Sequence, residues 1–187
     1  MSAKYGDWTR GEDEALLNIL GGVEVARNIL KGTVKVVTEV ISNIVNAFTV
    51  LVDETLSVEE AIKLGKFDWA NDDITSKTFP KLKDGKKGDK EVAIFHFGKD
   101  ISSEDAIALM DKAGFKPATI WDLLGLAVKE PNLQRKFPVV ALGSVCELHG
   151  VRGAPCLGED GDRRELGLRW FDGGWSGHYR FAGVRKY

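Results

Sequence analysis

Glycines crowd the C-terminal part of the chain, and this feature constrains the fold more than any other. Beyond Gly143 they recur between short segments in which apolar and polar residues alternate, a pattern typical of short strands joined by tight turns. Three such strands are expected, at Val151 to Leu157, Glu165 to Phe171 and Tyr179 to Arg185. The region therefore predicts antiparallel strands with irregular loops between them.

A strand, helix, helix, strand order precedes this region. Val92 to Phe97 is predicted as a strand, and Ser103 to Ala113 as a helix with Gly114 in its C-cap position. A second helix is expected from Thr119 to Lys129. Phe137 to Leu142 is predicted as a buried central strand because its apolar residues are continuous.

The N-terminal third is predicted to form an extension. Residues 1–32 are expected to be a helical segment, because Thr9 and Glu12 match a capping box in front of apolar positions. From Thr33 to Val52 the β-branched content favours strands, although Val40 to Ala47 fits a helix as well.

Three further segments complete the extension. A short helix is predicted at Val58 to Leu64, capped by Ser57 and closed by Gly65. Asp68 to Pro80 is expected as an ordered loop packed across the main domain. The lysine-rich run Lys81 to Lys90 has the composition of a solvated hairpin tip or linker, with a nucleic-acid patch as the alternative.

Composition indicates a globular protein without a strong electrostatic field. Hydrophobic residues make up 43% of the chain and charged residues 29%, while the formal net charge is -2. Such a balance disfavours nucleic acid and anionic membranes as partners. We expect no transmembrane helix, because the apolar stretches are interrupted or short, and with no secretory signal at the N-terminus a cytoplasmic location is the default.

Motifs for catalysis and cofactor binding are missing from the sequence. There is no GxxxxGK[ST], no GxGxxG after a strand and no GxSxG, and the three histidines are scattered. Cys146 and Cys156 are too few for a disulfide scaffold and lack the spacing of a zinc site, while a bridge between them stays open. We therefore expect no catalytic residue, metal or cofactor.

Three stretches of the C-terminal region carry a resemblance to a known family. They are Leu142-Gly143-Ser144-Val145, then Trp170-Phe171-Asp172-Gly173-Gly174-Trp175, then Tyr179-Arg180-Phe181-Ala182-Gly183-Val184-Arg185. Together with the two helices they resemble the variable proteins of diversity-generating retroelements, over roughly Glu91 to Tyr187.

The resemblance implies a fold and a division of the chain. The fold is α+β, a C-type-lectin-like domain with two helices, antiparallel strands and irregular C-terminal loops, preceded by a helical and strand extension. Residues 33–90 would be the strand and helix extension with its lysine-rich loop, and residues 91–187 the ligand-display domain. The variable region would span about residues 142–187.

The same resemblance implies which residues vary. In that family a template is copied with errors at adenines, so an asparagine codon ending in a pyrimidine never becomes Lys, Glu, Gln, Met or Trp. Glu147, Glu159 and Glu165 are therefore poorer candidates. The residues that fit the rule and are expected to point outward are His149, Val151, Arg152, Ala154, Cys156, Gly158, Asp160, Gly167, Arg169, Asp172, Gly173, Ser176, His178 and Tyr179.

Alternate positions of the strands should keep the core filled while these residues vary. That role is expected for Leu166, Leu168, Trp170 and Phe181. Tyr179, together with His178 and Arg152, is expected to contribute most to binding.

The sequence thus predicts a ligand-binding protein, not an enzyme, whose diversified surface recognises a protein or other macromolecule. The runner-up is an oxidoreductase of the related formylglycine-generating type, with Cys146 or Cys156 as a reactive thiol. A third alternative is a nucleic-acid adaptor that uses the N-terminal helices and Lys81 to Lys90.

Overall fold

A computed structural model describes residues 43–186 of the chain. The expected helices of residues 1–32, and residues 33–42, lie outside the described residues. The elements are, in order, β1 (Ile44–Asp53), α1 (Val58–Gly65), β2 (Trp69–Ala70), β3 (Lys87–Phe95), α2 (Ser103–Lys112), β4 (Phe115–Pro117), α3 (Ile120–Lys129), a 3₁₀ helix (Leu133–Arg135), β5 (Val139–Val140), β6 (Cys146–Leu148), β7 (Val151–Asp160), β8 (Arg163–Trp170) and β9 (Arg180–Arg185).

One mixed sheet connects all nine strands of the described region. Its order is β1-β3-β9-β5-β7-β8-β2, with β4 paired to β9 and β6 paired to β7. Most neighbours are antiparallel, while β5 with β9 and β2 with β8 are parallel. The mixed α+β class predicted from the sequence is confirmed.

The three helices of residues 43–186 begin where the sequence predicts them. Ser57 and Thr119 each form a capping box, with Glu60 at the start of α1 and with Asp122 at the start of α3. The side chain of Ser102 accepts the third backbone N–H at the start of α2. Local capping chemistry therefore sets these boundaries.

The sheet separates two clusters of buried apolar side chains. On β3, Val92 and Ile94 belong to the cluster that α1 and α3 cover, whereas Ala93 and Phe95 belong to the cluster that α2 covers. This alternation follows from the two-residue period of a strand. Because both faces are covered, the central strands are apolar on both sides.

The predicted boundary between residues 90 and 91 falls inside a strand. β1 pairs with β3 from Ile44 opposite Phe95 to Asp53 opposite Lys87, so the boundary lies within β3. The end of the lysine-rich run is thus in the sheet, where Lys87 contacts the Asp53 carboxylate at 3.0 Å. The predicted loop at residues 68–80 is ordered, as Ile74 and Phe79 are buried.

The strand expected at Phe137 to Leu142 is shorter in the structure. Only Val139 and Val140 form β5, and the chain turns at Leu142 and Gly143. The backbone N–H of Gly143 donates to the carbonyl of Ala118 at 2.8 Å. A Cβ atom on Gly143 would lie 2.6 Å from that oxygen, so only glycine allows this approach.

A buried carboxylate connects α3 to the β1–β3 pair. Asp122 is fully buried and accepts hydrogen bonds from the backbone N–H of Thr119 at 2.7 Å and from Lys90 Nζ at 2.9 Å. Lys90 also donates to Glu54 at 2.6 Å. Removal of either Asp122 or Lys90 would leave the other charged group partly buried and without this ion-pair partner, which is energetically costly.

We expect Asp122→Ala to lower the free energy of unfolding by about 3 kcal/mol or more, because it removes both a buried ion-pair partner and the capping box. Urea denaturation measures this. The control is Asp105→Ala, which removes an exposed carboxylate from the first turn of α2 and should cost less than about 1 kcal/mol. Equal losses for the two variants would contradict the role given to Asp122.

Candidate ligand-binding surface

The predicted site residues fall on and around a long antiparallel ribbon of β7 and β8. Its register runs from Gly153 opposite Trp170 to Asp160 opposite Arg163. The two ends of the ribbon lie far apart along the strands, so residues at opposite ends cannot contact one small ligand together.

One end of the ribbon is held by a buried arginine. Arg164 is 8% exposed and donates to the carbonyls of Gly65 at 2.9 Å and Ala127 at 3.1 Å, and to Gln134 Oε1 at 3.3 Å. Burial, together with the nearby positive charge of Arg135, lowers the pKa of Arg164. These contacts tie β8 to the C-terminal ends of α1 and α3.

Gln134 completes this attachment and was not singled out by the sequence. Its side chain is 1% exposed and donates to the carbonyls of Gly158 on β7 at 2.6 Å and Glu165 on β8 at 3.0 Å. Both strands are therefore fixed to the 3₁₀ helix. A polar residue between Leu133 and Arg135 gives no sequence signal that distinguishes it from a surface glutamine.

A buried tryptophan fixes the loop between β8 and β9. Trp175 is 3% exposed, exchanges two 2.9 Å backbone hydrogen bonds with Ile101, and donates from Nε1 to Ser103 Oγ at 2.8 Å. Ser103 in turn donates to the carbonyl of Phe171 at 2.6 Å. The loop is thus bound to α2, and the side chains that leave it are held in defined positions.

Several predicted residues come together around this loop. We call the display surface the group of side chains and glycines that lie on it and on the adjacent end of β8, namely Arg169, Trp170, Asp172, Gly173, Ser176, His178 and Tyr179. The rings of Tyr179 and Trp175 pack edge to face with centroids 5.1 Å apart, and the His178 ring lies 4.4 Å from Tyr179.

Two depressions adjoin the display surface. One has a volume of about 420 Å³ and is lined by Arg169, Trp170, Gly173 and Tyr179, with Trp175 at its base. The other is an open groove of about 1030 Å³ between the loop and α2, where Asp172, Ser176 and Tyr179 face residues of the helix. Tyr179 borders both, which places it at the centre of this surface.

Arg152 lies next to the display surface but already has partners. Its Nε donates to the two carboxylate oxygens of Asp172 at 3.0 and 3.1 Å, and its guanidinium contacts Glu104 and lies 4.4 Å from the Phe171 ring centroid. The hydrogen bond from Arg152 lowers the pKa of Asp172. Arg152 therefore positions Asp172 in the unbound protein.

Three predicted residues lie away from the display surface. His149 and Val151 flank the turn between β6 and β7, and His149 borders a separate depression with Thr75 and Cys146. Asp160 is at the opposite end of the ribbon, where Arg163 donates to it at 2.7 Å. The structure thus splits the predicted set into separate regions.

The expectation that Ala154, Cys156 and Gly167 point outward is wrong. Ala154 is 0% and Cys156 2% exposed, because β7 lies between β5 and β8 and both of its faces are covered there. Gly167 is buried, with Arg169 Nη1 3.1 Å from the position of a Cβ atom. Gly158 is half-buried, and open space lies in front of it.

The expectation that Trp170 fills the core is also wrong. Leu166 on the same face is fully buried, whereas Trp170 is 73% exposed. β2 pairs with β8 only at Glu165 and Leu166, so within the described part of the chain no strand continues beside Trp170 on this edge. The alternation of apolar and polar residues predicts which face of the strand a residue lies on. It does not predict how far along the strand other elements cover that face.

The same short pairing leaves an open edge on β8. The backbone N–H of Phe171 donates to the carbonyl of Arg152 at 2.9 Å, which makes the pair at Trp170 a non-hydrogen-bonded one. Leu168 and Trp170 therefore direct their backbone N–H and C=O groups away from β7. Since β2 ends beside Leu166, these groups lie on an edge that no other strand of residues 43–186 pairs with, and the Leu168 carbonyl accepts a hydrogen bond from Arg169 Nη1 at 3.1 Å.

Both cysteines are free and buried. Burial raises the pKa of Cys146, and it raises the pKa of Cys156 to about 12 although the charge of Arg169 acts in the opposite direction. Thiols with such pKa values stay protonated at neutral pH, and the thiolate is the reactive form. The environment of neither cysteine activates it.

We expect neither thiol of the native protein to react quickly with a disulfide reagent such as dithionitrobenzoate at pH 8, whereas both should react after unfolding in guanidinium. The denatured protein is the internal control, since it gives the full thiol content. A fast-reacting thiol in the native protein would overturn this prediction and favour the oxidoreductase alternative.

No family model, curated protein or solved structure matches this chain. Within residues 43–186 the helices are all too short or too polar to cross a membrane.

Proposed function

We propose that the chain is a ligand-binding protein that presents the display surface to a protein or other macromolecule. We further propose that its described region is a C-type-lectin-like domain and that a retroelement diversifies the surface. The order β3, α2, β4, α3, β5 ahead of the β7–β8 ribbon supports the fold assignment, because it contains the predicted strand, helix, helix, strand order with the short strand β4 added between the helices.

The observation that carries the proposal is the separation of exposed from supporting side chains in one short stretch. Phe171 and Trp175 are buried and hold the loop, while Asp172, Gly173 and Ser176 between and beside them are exposed. Substitutions at the exposed positions would change the surface without removing core contacts. A diversified surface needs this arrangement.

The adenine rule agrees with this separation around the loop but not along β7 and β8, where Ala154, Cys156 and Gly167 fit the rule and are buried. Trp175 cannot arise from the asparagine codon and supports the loop, whereas Arg169, Asp172, His178 and Tyr179 can arise from it and lie on the display surface. Trp170 departs from the pattern, since it is exposed but excluded by the rule. We therefore assign it as an invariant contact residue among variable ones.

The open edge of β8 favours a polypeptide ligand. At Trp170 both backbone groups, and at Leu168 the N–H group, have no strand partner among residues 43–186 and can pair with an extended segment as an additional strand. The exposed indole of Trp170 supplies a large apolar contact beside that edge, and exposed aromatic residues contribute strongly to protein interfaces.

Trp170→Ala should change the free energy of unfolding by no more than about 0.5 kcal/mol, because the side chain is mostly exposed. Trp175→Ala, the matched control on the adjoining loop, should cost about 3 to 5 kcal/mol because it leaves a cavity and removes the hydrogen bond from Nε1 to Ser103. Urea denaturation of both variants measures the difference. A comparable loss for Trp170→Ala would show that this residue belongs to the core.

Sequencing the DNA around the gene tests the diversification itself. We expect a nearby reverse transcriptase gene and an imperfect repeat of the codons for Leu142 to Tyr187 that differs at adenines. The differing codons should include those of Arg169, His178 and Tyr179. A complete locus without either element would refute diversification by a retroelement.

A further inference from the structure

A small pocket with an excess of basic groups lies beside the display surface. It has a volume of about 280 Å³ and lies between the segment before β5, the end of β7 and the residues that lead into β9. Its lining includes Lys136, Gly158, Arg169 and His178, with Glu159 as its one acidic residue.

Arg169, which lines this pocket, and the nearby Arg180 have no carboxylate partner among residues 43–186, in contrast to three other arginines of the sheet. Arg152, Arg163 and Arg185 each form ion pairs with aspartate or glutamate side chains. Arg169 and Arg180 form no such pair among residues 43–186, and the hydrogen bonds of their guanidinium groups go to backbone carbonyls. Their positive charges are therefore not neutralised by direct contact.

Arg180 packs against a residue that lines the pocket. Its guanidinium lies 4.8 Å from the ring centroid of Phe137, which lines the pocket, and its Nη1 donates to the carbonyl of His178 at 2.8 Å. The Nε atom is buried without a hydrogen-bond partner among the described residues. Burial also lowers the pKa of Arg180, which reflects the cost of removing this charge from water.

Small residues leave room in front of the basic groups. The guanidinium of Arg169 lies over Gly167, since Nη1 is 3.1 Å from the position of a Cβ there. Cys156 and Gly158 follow on the paired strand, and no atom lies within 4 Å of a Cβ built on Gly158. The absence of larger side chains at these positions creates the pocket.

We propose that this pocket binds a carboxylate, supplied by an acidic side chain of the protein ligand. Arg169 would pair with the carboxylate, and the long-range charges of Lys136 and Arg180 would favour it. Glu159 at the rim limits the number of negative charges the pocket accepts, which selects a single carboxylate over an acidic cluster. The identity of the ligand as a protein rests on the proposed function, whereas the pocket itself does not.

An NMR titration of the full chain with short peptides tests the proposal. The probes are acetyl-Gly-Glu-Gly-amide, the matching glutamine peptide, and inorganic phosphate. The glutamate peptide should shift the Nε–Hε resonance of Arg169 and bind at least tenfold more tightly than the glutamine peptide, because only the former offers a charge-assisted pair. Raising the salt concentration should weaken binding of the glutamate peptide, because salt screens the attraction between the two charges.

Two variants should abolish this preference in different ways. Arg169→Gln removes the charge, and Gly158→Val fills the open space while leaving every charge in place. Each should weaken the glutamate peptide about tenfold or more. Arg163→Gln, at the far end of the same strand and also exposed, is the control and should leave binding unchanged.

Three results would overturn the proposal: equal binding of the two peptides, shifts that map away from Arg169, or phosphate binding as tightly as the glutamate peptide. The last would indicate a general anion site. These failures are distinct from failure of the proposed function, because a gene locus with a template repeat would still identify a diversified binder whose ligand contacts lie elsewhere on the display surface.

Discussion

The buried hydrogen bonds of Arg164 and Gln134 are the constraint on which the β7–β8 ribbon depends. They connect both strands to α1, α3 and the 3₁₀ helix, and they do so mainly through backbone carbonyls. A bond to a carbonyl does not depend on the side chain of the residue that supplies it. Substitution of side chains in the other half of the ribbon, towards Gly153 and Trp170, therefore leaves these hydrogen bonds in place.

The loop between β8 and β9 is also fixed by contacts that do not depend on its exposed side chains, but these contacts are of a different kind. Trp175 and Ser103 fix it to α2 by side-chain and backbone hydrogen bonds, and the aromatic packing of Trp175 against Phe181 joins it to the core. These contacts do not involve the exposed side chains of Asp172, Ser176 and His178. An irregular loop can then have a defined shape that does not depend on those three side chains.

Local sequence signals predicted the helices well and the sites only in part. Ser57, Ser102 and Thr119 cap their helices as expected because capping involves neighbours in the chain. Burial at Cys156 and exposure at Trp170 depend on how far β5 and β2 extend beside the ribbon. The local alternation of apolar and polar residues does not show which distant segments pair with a strand. The prediction that a residue points outward was therefore right for Arg169 and wrong for Cys156.

Arg152 and Arg169, two of the three exposed arginines of the ribbon, illustrate why position on the strand decides whether an arginine is available to a ligand. Arg152 was expected to be a principal contact, yet its guanidinium is engaged by Asp172 and Glu104, and a ligand would have to replace those pairs to gain from it. Among residues 43–186 the guanidinium of Arg169 donates only to the adjacent carbonyl of Leu168. A ligand carboxylate can therefore pair with Arg169 without displacing another carboxylate. Binding energy should therefore come more from Arg169 than from Arg152, although both residues look alike in the sequence.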